Sequence, residues 1–173
     1  MAKISNDGLD LIKGFELFVG YVYDDLVPPV KGKYPEWKGQ KPKGTLTIGY
    51  GHTDAAKDPL KCTLGTKVTM AQALTILSVD LGPCEDTVNK LVKVPITQHQ
   101  FDALVSFNFN TGKLANTGLL NKLNSKNYAA VPAEFMKWTK SKGKELKGLV
   151  RRRTAEVALW SKPDHDHPPA KMA

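Results

Sequence analysis

Cysteine is scarce in this chain: Cys62 and Cys84 are its only two, 22 positions apart. That spacing fits neither a CxxC redox motif nor a four-ligand zinc site. It leaves two readings open, a disulfide worth about 3 kcal/mol in an oxidising compartment or a pair of free structural thiols. Long apolar runs are missing as well, and no stretch approaches the roughly 18 residues of a membrane span. The opening segment MAKISNDGLDLIKGFE has no apolar core and no small-residue cleavage site, so a cleaved secretory signal is not expected and synthesis in the cytoplasm is. No zinc-finger, helix-turn-helix or RNA-binding signature is present, which leaves a nucleic-acid partner supported by charge alone. Acidic residues are outnumbered, 17 Asp and Glu against 25 Lys and Arg, for a net charge of +8. Such a balance asks for an anionic partner, and nucleic acid, a membrane surface and a bacterial cell wall all qualify.

What is there is an ordinary globular composition: 173 residues, 41% hydrophobic and 24% charged, enough for one domain or two closely packed lobes with a real core. Ser5, Asn6 and Asp7 are good N-cap residues, and Leu9, Ile12 and Phe15 follow at helical spacing, so a first helix should end near Glu16. From Val19 to His52 aromatic and β-branched residues, a Pro/Gly/Lys-rich segment and a Gly-Tyr-Gly turn read as a small β-lobe. Thr69-x-x-Gln72 has the form of a capping box opening a long helical pattern through Leu91, kinked or split at Pro83. A second capping box, Thr97-x-x-Gln100, precedes a helix with an apolar face that should be central to the core and stop at Gly112. Shorter helices are expected around Leu119–Leu123, Ala129–Thr139 and Arg151–Trp160, giving the order helix, β-lobe, then helices only.

The residues able to do chemistry start with Glu16 at the end of an apolar helix, Asp25 nine positions later and Thr47 heading Thr-Ile-Gly-Tyr-Gly-His-Thr. A carboxyl at such a helix end can be partly desolvated and kept protonated as an acid. A second carboxylate and a hydroxyl able to hold a water would complete a site for glycoside hydrolysis. The alternative is solvated or capping groups of no catalytic use. His52 reads as structural, tying the β-lobe together, rather than as a general base.

The segments Gly14-Phe-Glu-Leu17, Tyr23-x-Asp25, Thr47-Ile-Gly-Tyr-Gly-His-Thr53, Gln100 to Gly112 and Gly148-Leu-Val-Arg-Arg-Arg-x-Ala-Glu156 resemble, in order, the phage-type lysozymes, endolysin muramidases that cut peptidoglycan. The resemblance implies an α+β lysozyme-like fold. A small β-lobe at about 17–65 and a helical lobe at about 66–162 plus the N-terminal helix would flank an active-site cleft, with a loose tail after Pro163. It implies hydrolysis of the β-1,4 bond between N-acetylmuramic acid and N-acetylglucosamine, with no cofactor or metal. The partner would be bacterial peptidoglycan, without nucleic acid or stable membrane insertion, and the chain would be a monomer. Matched residue by residue, the catalytic set falls on Glu16 as general acid, Asp25 as the group that stabilises developing positive charge and orients water, and Thr47 as the holder of that water. The nine-residue spacing selects Asp25 over Asp24. An inverting reaction, usual in the family, would need the two carboxyls roughly 6.5–9.5 Å apart. Rival readings keep the fold but not the reaction: a peptidoglycan-binding relative that does not cut, or a lytic transglycosylase. Lacking a signal, the chain would reach the wall only with another protein's help.

The chain departs from the family pattern between Asp25 and Thr47, where a long insertion, Pro28 to Gly44, carries five lysines, one glutamate, Tyr34 and Trp37. Tyr34 and Trp37 are candidate sugar contacts if the insertion forms a flap. Otherwise it is a surface loop of low entropic cost. Asn110, near the end of the central helix, is a candidate polar sugar contact or an ordinary cap. The run Lys137, Lys140, Lys142, Lys144, Lys147, Arg151, Arg152 and Arg153 reads either as a solvated face or as a wall-adsorbing surface, one of its arginines approaching Glu16. Ser141 and Lys144 match a short acylating-serine pattern without its supporting motifs, and Asp164-His165-Asp166-His167 is a weak metal motif.

Overall fold

In a computed structural model of the chain, which describes residues 1–163, helix α1 (Asn6–Phe15) starts where Ser5 is pinned by a buried carboxylate. The Ser5 N–H donates to Asp102 Oδ1 at 3.0 Å, and the Ser5 hydroxyl donates to Asp102 Oδ2. Asp102 is fully buried, and burial raises its pKa against the opposing pull of these bonds. The Asp164–His167 motif and the tail lie outside the described residues.

Residues Lys13–Gly82 form one compact unit, and Met1–Ile12 with the chain from Pro83 onward form another. In the Lys13–Gly82 unit, strands β1 (Val19–Asp24), β2 (Leu46–Gly49) and β3 (His52–Thr53) make an antiparallel sheet in that order. Its register sets Tyr23 opposite Thr47, Asp24 opposite Leu46, and Thr47 opposite Thr53. Two residues, Tyr50 and Gly51, join β2 to β3, and Gly49 (φ 67°) and Gly51 (φ 84°) both take left-handed backbone at this turn, a conformation that a residue with a Cβ resists. Helix α2 (Met70–Asp80) opens on the predicted capping box, with Thr69 and Gln72 bonding reciprocally.

The other unit is helical: α3 (Gly82–Leu91), α4 (Gln98–Thr111), α5 (Gly118–Asn124), α6 (Val131–Phe135) and α7 (Lys147–Trp160). The break at Leu81 and the restart ahead of Pro83 are the split that proline demands in a helix interior. Helix α4 also opens on its predicted capping box and ends on a left-handed Gly112. Every residue from Phe101 to Asn108 is buried, so α4 is enclosed on all sides rather than on one face. It packs mainly against α7, with Phe135 and Trp138 edge-on to Phe107. One element departs from the helices-only order. Strands β4 (Lys140–Ser141) and β5 (Lys144–Glu145) form a hairpin between α6 and α7.

Both cysteines are free thiols. Burial pushes Cys62 up to about 12 and Cys84 up to about 11, so neither is a thiolate at neutral pH.

His52 is structural, as its sequence context suggests. Its Nδ1 lies 2.7 Å from Asp80 Oδ2 and its Nε2 lies 3.0 Å from the Leu60 carbonyl, and two acceptors on one ring favour the imidazolium. Burial alone would lower its pKa, but the Leu60 and Asp80 bonds outweigh it and the pKa is raised. The stabilisation is therefore fully present below the unfolded value near 6.5 and is lost as pH rises through the higher folded value. Thermal unfolding followed from pH 5 to 9 should show wild type losing its advantage over His52→Gln across that window. A constant difference would contradict the ion pair.

Candidate active site

Glu16 follows the last residue of α1 and is half-buried. A Cβ placed on Gly51 would stand 3.9 Å from Glu16 Oε2, so the carboxyl faces the Gly49–Gly51 turn. The sequence motif thus has a local purpose: two glycines make the turn tight and leave its surface open beside the acid.

Asp25 is exposed, one residue past the end of β1. Its N–H donates to the Thr45 carbonyl at 3.1 Å, and its Oδ1 accepts the Thr45 N–H at 2.7 Å. Thr47, 5% exposed, donates its hydroxyl to that same Thr45 carbonyl at 3.1 Å. The main chain of Thr45 therefore holds Asp25 and Thr47 together. Gly44 lies against them, where a Cβ would crowd Asp25 Oδ1 and the Leu26 side chain. Neither Thr45 nor Gly44 stands out in the sequence, since both act through backbone.

Asp24 has a different task. It is buried, and its carboxylate accepts the N–H groups of Lys43 (2.5 Å), Gly44 (2.9 Å) and Leu26 (3.1 Å). The Lys43 bond, ahead of the other backbone donors, holds its pKa below the usual carboxylate range. Asp24 thus clamps the two ends of the insertion together, so that Asp25 and Thr47 stay in strand register despite the added chain between them.

The insertion is itself anchored. Tyr23 and Glu36 form a β-bridge, Trp37 N–H donates to the Val22 carbonyl at 2.8 Å, and Tyr21 Oη donates to the Tyr34 carbonyl at 2.8 Å. Trp37 packs on the small core of Val22, Ile48 and Cys62, with its indole N–H on the Gln40 carbonyl at 2.7 Å. Tyr34 stacks against Tyr23, ring centroids 4.4 Å apart. The Tyr34 side of the insertion borders a groove of about 450 Å³ lined by Phe18, Tyr21, Lys33 and Tyr34 among others.

Tyr23, the first residue of the Tyr23-x-Asp25 motif, sits among the candidate catalytic groups. It is buried opposite Thr47. Burial, and then the charges of Tyr34, Asp25 and Glu16, push its phenol up to about 12. Both carboxyls thus act electrostatically on one hydroxyl that stays protonated across the physiological range.

In the helical unit, Asn110 is exposed and its Oδ1 accepts from Arg153 Nη2 at 2.9 Å. The bond fixes the amide so that its NH₂ end is left to donate. The Lys137–Arg153 run does not form one solvated face. Arg152 and Arg153 are buried on a buried Glu156, whose Oε1 accepts from Arg153 Nη2 (2.9 Å) and Ser106 Oγ (2.8 Å), while its Oε2 lies 2.8 Å from Arg153 Nε. Spacings of three and four residues on α7 bring the three together. Among the described residues no group of three or more metal-ligating side chains is present.

The family model of the phage lysozymes matches residues 34–156, more than half of the chain. The protein belongs to the phage lysozyme family. The match includes Thr47, Asn110 and Glu156 and begins inside the insertion, leaving Glu16 and Asp25 ahead of it. The chain is 39% identical over 161 residues to the endolysin of Bacillus phage PZA, an alignment covering 92% of this chain and 55% of that protein. It thus spans about half the length of that relative. The endolysin of Acyrthosiphon pisum secondary endosymbiont phage 1 is 43% identical over 68% of this chain and 80% of its own length. Among solved structures, the muramidase domain of SpmX from Asticaccaulis excentricus is 33% identical, with a TM-score of 0.75 over 94% of this chain and all of that one. The α+β lysozyme-like fold expected from the motifs is the fold observed.

Proposed function

We propose that this chain hydrolyses the β-1,4 bond between N-acetylmuramic acid and N-acetylglucosamine in bacterial peptidoglycan. The observation that carries the reading is the Thr45 main chain, which sets a carboxylate and a hydroxyl side by side, with a second carboxyl facing the turn that follows β2. Glu16 gives its proton to the glycosidic oxygen as the bond breaks. Asp25 balances positive charge building on the sugar and takes part in orienting the attacking water, which Thr47 holds. Attack by a held water from the face opposite the leaving group inverts the anomeric carbon. The names endolysin and muramidase borne by the relatives support the wall as substrate.

Tyr34 takes a sugar face in the groove beside the insertion, and Trp37 acts on substrate through the insertion it anchors. Asn110 donates from its amide to the glycan. The chain works as a monomer, without cofactor or nucleic acid, after release from the cytoplasm to the wall. No helix among the described residues is long and apolar enough to cross a membrane.

Digestion of purified peptidoglycan followed by mass spectrometry tests the reaction. Hydrolysis yields reducing muropeptides, and products lighter by one water would establish a lytic transglycosylase instead. For the groove, Tyr34→Ala should raise KM about 2–10-fold with kcat unchanged, the range expected for one lost aromatic contact. An unchanged KM would remove Tyr34 from the substrate path.

A further inference from the structure

Among the described residues, three that are not glycine have positive φ: Lys31 (49°), Lys126 (61°) and Lys142 (50°). All are lysines, in a chain where 22 of 173 residues are lysine and where asparagine or aspartate is the usual occupant of such positions. Lys126 has a local reason. It follows α5, donates to the Leu123 carbonyl, and is followed by Asn127 donating to Lys122, a helix-ending motif in which a cation complements the helix dipole. Lys31 and Lys142 have no helix to complement. Each is the first of two turn residues in a hairpin, Val30-Lys-Gly-Lys33 and Ser141-Lys-Gly-Lys144, closed by Val30–Lys33 and Ser141–Lys144 pairing.

The two turns are nearly superimposable in φ, 49° and 77° in the first, 50° and 79° in the second. Positive φ at both central residues is the turn that favours Asn-Gly, yet both hairpins carry Lys-Gly. Lys31, Lys33, Lys142 and Lys144 are all exposed, and none has a carboxylate partner among the described residues, whereas Lys3, Lys38, Lys137 and Lys162 do. Unfavourable backbone kept with unpaired charge marks a contact surface rather than a structural one. The choice of cation narrows the partner. Arginine's fork fits planar carboxylate and phosphate alike, but two of the three arginines here are buried and the exposed cations of both tips are lysines. Exposed ammonium groups act as point charges that serve the turning oxygens of a flexible phosphate chain.

We infer that the two Lys-Gly-Lys hairpin tips are adsorption contacts for a linear, phosphodiester-linked anionic polymer of the bacterial wall, an inference that rests on the wall-hydrolase reading for its choice of polymer. The test uses the full chain in co-sedimentation with purified walls, either intact or stripped of phosphodiester-linked polymer by acid. Lys31→Asn with Lys142→Asn relieves the turns and removes two charges. Lys90→Gln with Lys122→Gln, on exposed helix positions, removes two charges only. The tip variant should bind intact walls about 5–30-fold more weakly, the effect of two lysines near an anionic surface. It should bind stripped walls as wild type does and melt a few degrees higher. The helix variant should bind both walls as wild type does. Equal weakening by the helix variant would reduce the effect to net charge, and equal weakening on stripped walls would assign it to peptide carboxylates. An unraised Tm would show that lysine suits the turn. Each of these outcomes overturns the inference. Wild-type turnover of soluble peptidoglycan fragments is read separately, so an inactive chain that keeps the binding pattern refutes the hydrolase reading and not the tips.

Discussion

Glu16→Gln should lower the turnover of peptidoglycan by about 10²–10⁴-fold, the usual worth of a positioned general acid. The replacement keeps the size of the side chain and its capacity to accept a hydrogen bond, and it removes the ionisable carboxyl and with it the proton that the leaving oxygen needs. Glutamine matches glutamate in size and keeps an oxygen toward the Gly49–Gly51 turn, so the sheet beside it should be undisturbed. KM and Tm should therefore stay near wild type while kcat falls. A kcat within tenfold of wild type would move the acid elsewhere, and a matching fall in Tm would make Glu16 structural. The same assay on Asp25→Asn separates the second carboxyl. An asparagine can still accept the Thr45 N–H, so a loss there reports charge and not register.

The largest effect on stability should come from Glu156→Gln. Glu156 and Arg153 are 0% exposed and Arg152 is 4% exposed. Burial pushes the glutamate's pKa up and that of Arg153 down, each opposed by the other's charge. Neutralising the carboxylate takes from the buried Arg153 guanidinium the charge that faces its Nε and Nη2, which costs about 3–5 kcal/mol when a buried pair is broken. For a chain of this size that is roughly 6–20 °C in Tm. The Phe107 ring, 4.9 Å from the Arg153 guanidinium, offsets only part of the loss. A drop below about 3 °C would mean that water reaches the cluster.

These two sites differ in how far they could be read from the chain alone. Glu16, Asp25 and Thr47 are assigned through the family resemblance, by the nine-residue Glu-to-Asp spacing and the Thr47–Thr53 block. The buried role of Arg152 and Arg153 was not legible, although Glu156 at three and four positions on was available as a signal; a run of eight cations suggested a surface. The elements legible in advance were those set by adjacent residues. Both capping boxes formed, and Pro83 divided the long helical pattern. The remaining features depend on contacts distant in sequence or on unusual turn chemistry. The hairpin at 140–145 has lysine where Asn-Gly would have announced a turn. The insertion was visible as extra chain, but its anchoring by Trp37 on Val22, Ile48 and Cys62 and its closure by Asp24 on Lys43 and Gly44 are tertiary. Thr45 contributes only main chain, which no side-chain pattern records.

The central claim is that a water held beside Asp25 and Thr47 cuts the glycan with a proton from Glu16. It is tested most directly by digesting purified peptidoglycan in ¹⁸O-water, with products reduced at once and weighed by mass spectrometry. Wild type should place one ¹⁸O at each new muramic acid end, and Glu16→Gln should release almost none of these products. Products without the label, or equal labelled release by both proteins, would contradict the account.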